Sequence, residues 1–160
     1  MDHRQEELSR YRIQEAKNSL KVAEHCLKEG LYKDSINRSY YVAFYAIKAV
    51  LALGTIDFKR HKDVVAYFNK EYVATNVFPR ELGKRLGMLK QLREKSDYDD
   101  FYIATREEAE EQIQTAKELV SRVEEYVQAR WKKESEKTVR NAEYLDMIDR
   151  GIDQLSAGNG

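Results

Sequence analysis

The sequence predicts an all-α protein, an up-and-down helical bundle of about five helices followed by a short C-terminal amphipathic helix. Three observations point to that class. Apolar residues recur at three- and four-residue spacings through most of the chain, and no stretch of any length alternates as a strand does. One proline and seven glycines in 160 residues leave these periodic stretches almost free of breakers. The segments between them are short, which makes successive helices antiparallel neighbours.

The first helix is expected from about Arg4 to Glu29, with Ile13, Ala16, Leu20, Ala23 and Leu27 as its buried stripe. Gly30 breaks it, and Leu31 to Lys33 turn the chain into a second helix that ends at Gly54. That second helix is apolar around most of its circumference. Ile36, Tyr40, Ala43, Ile47 and Val50 form one seam, and Tyr41, Phe44, Tyr45 and Leu51 form another beside it. A helix so apolar must be surrounded, so it is expected at the centre of the bundle. A basic loop from Thr55 to Asp63 leads into a third helix carrying Val64, Val65, Phe68 and Tyr72. Asn76 and Pro79 punctuate its end, and Leu82, Leu86, Leu89 and Leu92 mark a fourth. Thr105 and Glu108 have the spacing of a capping box, opening a fifth helix with the seam Ala109, Ile113, Ala116, Val120, Val123, Val127 and Trp131.

These elements suggest a bundle over residues 1–131 and a charged linker or helix extension over 132–140. A separate amphipathic helix follows over 141–160, with Leu145, Ile148, Ile152 and Leu155 on one side.

Composition narrows the function classes. No segment approaches the ~18 consecutive apolar residues of a membrane span, and the N-terminus is polar, so a soluble, cytoplasmic protein is expected. Cys26 is alone and falls in a helical pattern, which suits a small core residue in a reducing compartment. The formal charge is zero, from 28 Lys and Arg against 28 Asp and Glu. That balance hides a segregation: residues 59–95 carry ten basic and four acidic side chains, residues 97–126 three and ten. The two blocks either fold against each other or present a basic face to a partner.

His3, His25 and His61 stand too far apart in sequence for metal-ligand spacing, and no metal or cofactor is expected. A phosphate loop, a dinucleotide fingerprint and a Ser-His-Asp signature are all missing. Three stretches remain as candidates. Arg38 lies one turn from Asp34 on the same stripe as Tyr41 and Tyr45. It is either a satisfied ion pair or an anion site, since arginine offers a planar fork to phosphate and tyrosine faces stack on bases. His61 and Lys62 open the third helix, where cations and free N–H groups can hold phosphate together. Arg93, Asp97 and Tyr98 close the fourth, where the arginine either binds an anion or pairs with an aspartate to fix the loop.

Taken in order, Arg38-Ser39-Tyr40-Tyr41-Val42-Ala43-Phe44-Tyr45-Ala46, then His61-Lys62, then Arg93-Glu94-Lys95-Ser96-Asp97-Tyr98 and the long last helix resemble the HEPN family (higher eukaryotes and prokaryotes nucleotide-binding). The resemblance covers roughly residues 8–130. It implies a helical bundle, usually a homodimer, often encoded beside a small nucleotidyltransferase in toxin–antitoxin pairs. Many members are metal-independent RNases with an Arg-x4-6-His motif completed across the dimer. This chain departs from that motif: the histidine positions after Arg93 hold Tyr98, Asp99 and Asp100. Without the imidazole, the side chain best suited to proton transfer near neutral pH is missing there.

The expectation is therefore a nucleotide-, RNA- or partner-binding module of a toxin–antitoxin type system, with Arg38, Tyr41, Tyr45, His61, Lys62, Arg93, Asp97 and Tyr98 as the phosphate- and base-binding set. The alternatives are an RNase toxin with a non-standard site and a purely structural interaction protein. Residues Asn141 to Leu155 also look like the C-terminal helix of small prevent-host-death or RelB-type antitoxins, although the same helix suits a cap on its own bundle.

Overall fold

The computed structural model describes residues 2–54 and 56–158. Thr55, the first residue of the expected basic loop, and Asn159 and Gly160 at the end of the expected tail lie outside the described residues. The described residues form five α-helices and no strand: α1 (His3–Lys28), α2 (Tyr32–Leu51), α3 (His61–Phe68), α4 (Arg80–Tyr98) and α5 (Arg106–Gly158). A π-helical turn, Asn69–Val73, continues α3.

Local chemistry sets the boundaries. Asp2 and Gln5 form a reciprocal capping box that starts α1 one residue before the periodic pattern does. Gly30, at φ +77°, ends it: its N–H donates to the Leu27 carbonyl and that of Leu31 to Cys26, the bonding of a Schellman motif. Asn76, at φ +63°, makes the left-handed turn that leads to Pro79 and α4. The expected box at the start of α5 is present, with Glu108 N–H donating to Thr105 Oγ1 and Thr105 N–H to Glu108 Oε1.

Residues 1–127 form one compact unit. Within it, side-chain pairs fix both neighbours and direction. Ser9 Oγ donates to the Ala49 carbonyl, Arg12 to that of Lys48, and Ser35 Oγ to that of Ala23, so α1 and α2 run antiparallel. Asn37 meets Asp97 and Tyr40 meets Arg93, so α2 and α4 do too. Arg85 pairs with Glu118, joining α4 to α5, while Lys17–Glu124 and Glu24–Lys117 return α5 to α1. The result is a closed ring of α1, α2, α4 and α5 with alternating direction, and α3 lies within the long α2–α4 connection.

α2 is the central element, as expected. Ile36, Val42, Ala46, Ala49 and Val50 are fully buried, with Tyr40 and Ile47 nearly so. Small residues on both sides let α1 and α2 approach closely: Ala16 and Ala23 on one, Ser35, Ser39 and Ala46 on the other. Leu82, Leu86, Leu89 and Leu92 bury one face of α4, and the expected seam of α5 is buried from Ala109 to Trp131.

The separate C-terminal helix is not seen. α5 is one continuous helix of 53 residues, and the charged run at 132–137 extends it. No glycine or proline occurs between Arg106 and Arg150, and Lys, Glu, Arg and Ala are good helix formers, so nothing there interrupts the hydrogen-bond ladder. Contacts divide after Val127, and residues 128–160 form a second unit whose distal face exposes Leu145, Ile148, Ile152 and Leu155. Among the described residues, no helix is long and apolar enough to cross a membrane.

Candidate functional site

The site begins with the phase of α2. Residues Asn37, Tyr40, Tyr41, Phe44 and Lys48 repeat at three and four and share one side of the helix. The start of α3 and the C-terminal half of α4 lie against that side. Three elements distant in sequence thereby contribute to one patch.

His61, the first residue of α3, stacks on Phe44 with ring centroids 3.9 Å apart and planes 28° from parallel. It also meets the edge of Tyr41 at 6.0 Å. Arg93, from α4, lays its guanidinium over the face of Tyr40, 4.8 Å from the ring centroid, and 5.9 Å from that of Tyr41. A guanidinium over tyrosine faces is held by the ring quadrupole, which orients it as well as attracting it. Lys48 Nζ stands 5.5 Å from the centroid of Phe44 and 3.8 Å from Asp57 Oδ1.

Arg93 is anchored through Asp97, one turn further along α4. Its Nε lies 2.9 Å from Asp97 Oδ2, an ion pair bent away from hydrogen-bond alignment. Asn37 Nδ2 donates to both oxygens of the same carboxylate, at 3.0 and 3.2 Å.

The electrostatics follow from this packing. Burial against Phe44 pushes the His61 pKa below its ordinary value, and the positive charges of Arg93 and Lys48 push the same way. The imidazole is therefore neutral at pH 7. Burial raises the pKa of the Tyr40 hydroxyl, opposed by the nearby Arg93. Among the described residues, no three His, Cys, Asp or Glu side chains are grouped as a metal site needs.

The structure brings together five of the eight residues singled out from the sequence: His61, Tyr41, Arg93, Asp97 and Tyr98. The last is largely exposed and lines an open depression of about 770 Å³ with Arg93, Glu94 and Lys95. Lys62 is exposed at the start of α3, and Tyr45 is half-buried, touching the patch only through the edge of Phe44. Arg38 stands apart. It is exposed, as is Asp34, and among the described residues no ion pair joins them. Its charge is felt by Cys26 of α1. The buried-ion-pair reading of Arg38 is thus corrected: its stripe is the wet edge of α2, where tyrosines keep one flank in solvent.

Asn37, Tyr40, Phe44 and Lys48 belong to the patch and are not among the residues singled out from the sequence. Their spacing from Tyr41 on the helix is the available signal.

Chemically, the patch offers a fixed guanidinium, a second cation, a neutral imidazole and several aromatic rings around a shallow surface. That set suits a phosphate flanked by an unstacked base.

Comparison with known proteins bears on these features. The sequence profile of the HEPN domain matches residues 9–126. A protein of Thermotoga maritima described as "UPF0332 protein" is 28% identical over 77% of this chain and 93% of its own length. "Putative toxin MJ0142" of Methanocaldococcus jannaschii is 30% identical over 72% of this chain and 78% of its own. Among solved structures, TT1696 from Thermus thermophilus superimposes with a TM-score of 0.62 at 24% identity, over 73% of this chain and 96% of that one. ST0689, described as an archaeal HEPN homologue, gives 0.60 at 21% identity, over 74% and 97%. Both structural likenesses speak to the fold alone.

Proposed function

This chain belongs to the HEPN domain family, and on that premise we propose that it is a phosphate- and base-binding module of a toxin–antitoxin type system, taking single-stranded RNA or a nucleotide on the Arg93–His61 patch. The observation that carries this reading is the Arg93 guanidinium lying over Tyr40 beside the His61–Phe44 stack. The guanidinium gives a phosphate two directed, charge-assisted bonds, and the ring faces give an unpaired base somewhere to stack. Relatives named as toxins support the toxin–antitoxin setting.

A homodimer and a small nucleotidyltransferase partner are part of the same proposal. Tyr98, Phe101 and Ile103 support the first, since all three are strongly exposed in and beside the short α4–α5 connection. Apolar surface gathered in that way marks an interaction site more often than a solvated one.

One observation favours a second reading, a metal-independent RNase. Although no histidine follows Arg93 at the usual spacing, His61 reaches the patch from α3 and is neutral near pH 7. A neutral imidazole beside a guanidinium is competent for proton transfer.

One set of preparations tests both. A short fluorescein-labelled single-stranded RNA is titrated into wild type, Arg93→Ala and His61→Ala and followed by anisotropy. Loss of the guanidinium weakens binding by about 10- to 150-fold, the range for hydrogen bonds to a charged group. Unchanged affinity in Arg93→Ala refutes the binding reading. Cleavage of the RNA in excess chelator, lost in both variants, installs the second reading in its place; a contaminating nuclease survives both substitutions.

A further inference from the structure

We infer that Asn37 is a positioning residue for this site: it holds Asp97 so that Asp97 pins Arg93 through Nε alone and leaves the two terminal guanidinium nitrogens free for phosphate. The inference rests on the Arg93 reading above and assigns a role to a residue that acts on the guanidinium through Asp97.

The geometry is specific. Asn37 Nδ2 lies 3.0 Å from Asp97 Oδ1 and 3.2 Å from Oδ2, so one amide group straddles the carboxylate. The orientation of the amide is fixed by chemistry, because the flipped form places its carbonyl oxygen against two carboxylate oxygens. Asp97 Oδ2 in turn lies 2.9 Å from Arg93 Nε. An aspartate free to rotate has a better option: the two-bond fork–fork pairing, which occupies a terminal nitrogen as well. Such pairing competes directly with phosphate. The amide from α2 opposes it, because its donor already engages both oxygens.

The 2.9 Å approach of the carboxylate is to Nε, which is buried and has no aligned hydrogen bond. The guanidinium carbon stands over Tyr40, 4.8 Å from the ring centroid. Asn37 thus acts across the α2–α4 seam, sixty residues away in sequence from the carboxylate it orients.

The test is a double-mutant cycle on RNA affinity with the same labelled RNA, alongside thermal unfolding of every variant. Asn37→Ala should weaken binding by about 3- to 10-fold, the scale of one hydrogen bond. In an Asp97→Ala background the same substitution should change nothing, because the residue it acts through is gone. Asn37→Asp, which keeps the shape but replaces the donor with a charge, should weaken binding more than Asn37→Ala does. A residue that only stabilises the fold shifts the unfolding temperature without this pattern.

Equal weakening by Asn37→Ala in both backgrounds overturns the inference, since Asn37 then acts independently of Asp97. No effect of Asn37→Ala, with Arg93→Lys still weakening binding, also overturns it and leaves the site reading standing. No effect of Arg93→Lys or Arg93→Ala removes the site reading itself. Arg93→Lys keeps the charge and loses the fork, so it serves where Arg93→Ala fails to fold.

Discussion

His61 shows how one side chain acquires its chemistry from packing. Its ring rests on Phe44, so protonation must place a charge against an apolar face and near two cations. Nuclear magnetic resonance should place its titration midpoint below the ordinary value near ~6.5. Arg93→Ala should raise the midpoint only part of the way, because burial is the larger cause. The sign of the linkage follows. The folded pKa lies below the unfolded one, so the unfolded chain binds more protons between the two values. The contribution of His61 to stability is full above about pH 6.5 and falls as the pH drops through the window below it. Urea midpoints measured across that window should fall with acid in wild type, and less steeply in His61→Ala. A midpoint of titration above the ordinary value contradicts an imidazole partly desolvated by stacking on Phe44.

At the scale of elements, the π-helical turn after α3 governs how closely α4 can approach. A β-carbon added at Gly83 stands 2.7 Å from Val73 Cγ1, and Val73 is buried. Valine in a helix has essentially one rotamer, so it has little room to yield. Gly83→Ala should cost about 1–3 kcal/mol through overpacking, in spite of the better helix propensity of alanine. Gly87, one turn on, meets nothing within 4 Å, and alanine there should stabilise by about 0.8–1 kcal/mol. Urea melts of the two variants check the contrast; equal signs contradict it. The same scale shows what a sequence discloses. Arg93 and Asp97 are one turn apart, so their pairing follows from helix geometry. The capping box at Thr105 and the left-handed break at Gly30 are equally local, and both are present. His61 reaches Phe44 through a connection whose path no local rule sets, so that stack is not legible. Arg38 misleads for a different reason: Tyr41 and Tyr45 count as apolar in a pattern, yet each keeps a flank in solvent, and the stripe they mark is an edge. Of the two readings of the charged run after Trp131, linker or helix extension, the extension is present, because polarity is no stop signal, whereas glycine, proline or a cap ends a helix.

The bundle combines a closed four-helix ring with exposed apolar surface at Tyr98, Phe101 and Ile103, at the end where Asp97 and Arg93 sit. The dimer proposed on that surface has a direct check. Sedimentation at micromolar concentration should give about twice the 18.8 kDa of one chain, and Phe101→Asp with Ile103→Asp should return it to monomer. A monomer at every concentration contradicts that proposal.

The ring also explains why residues from three helices meet. α2 is the common neighbour of α1, α3 and α4, and its Tyr40–Phe44 side is where α3 and α4 converge. His61 and Arg93 then belong to one site, a claim that affinities measure directly. With the labelled single-stranded RNA, dissociation constants are determined for wild type, His61→Ala, Arg93→Ala and the double variant. Each single substitution is predicted to weaken binding, and the double to weaken it by less than the product of the two, with a coupling of about 0.5–3 kcal/mol. Affinity unchanged in both single variants, or effects that multiply as though independent, contradicts a single site on this face of the bundle.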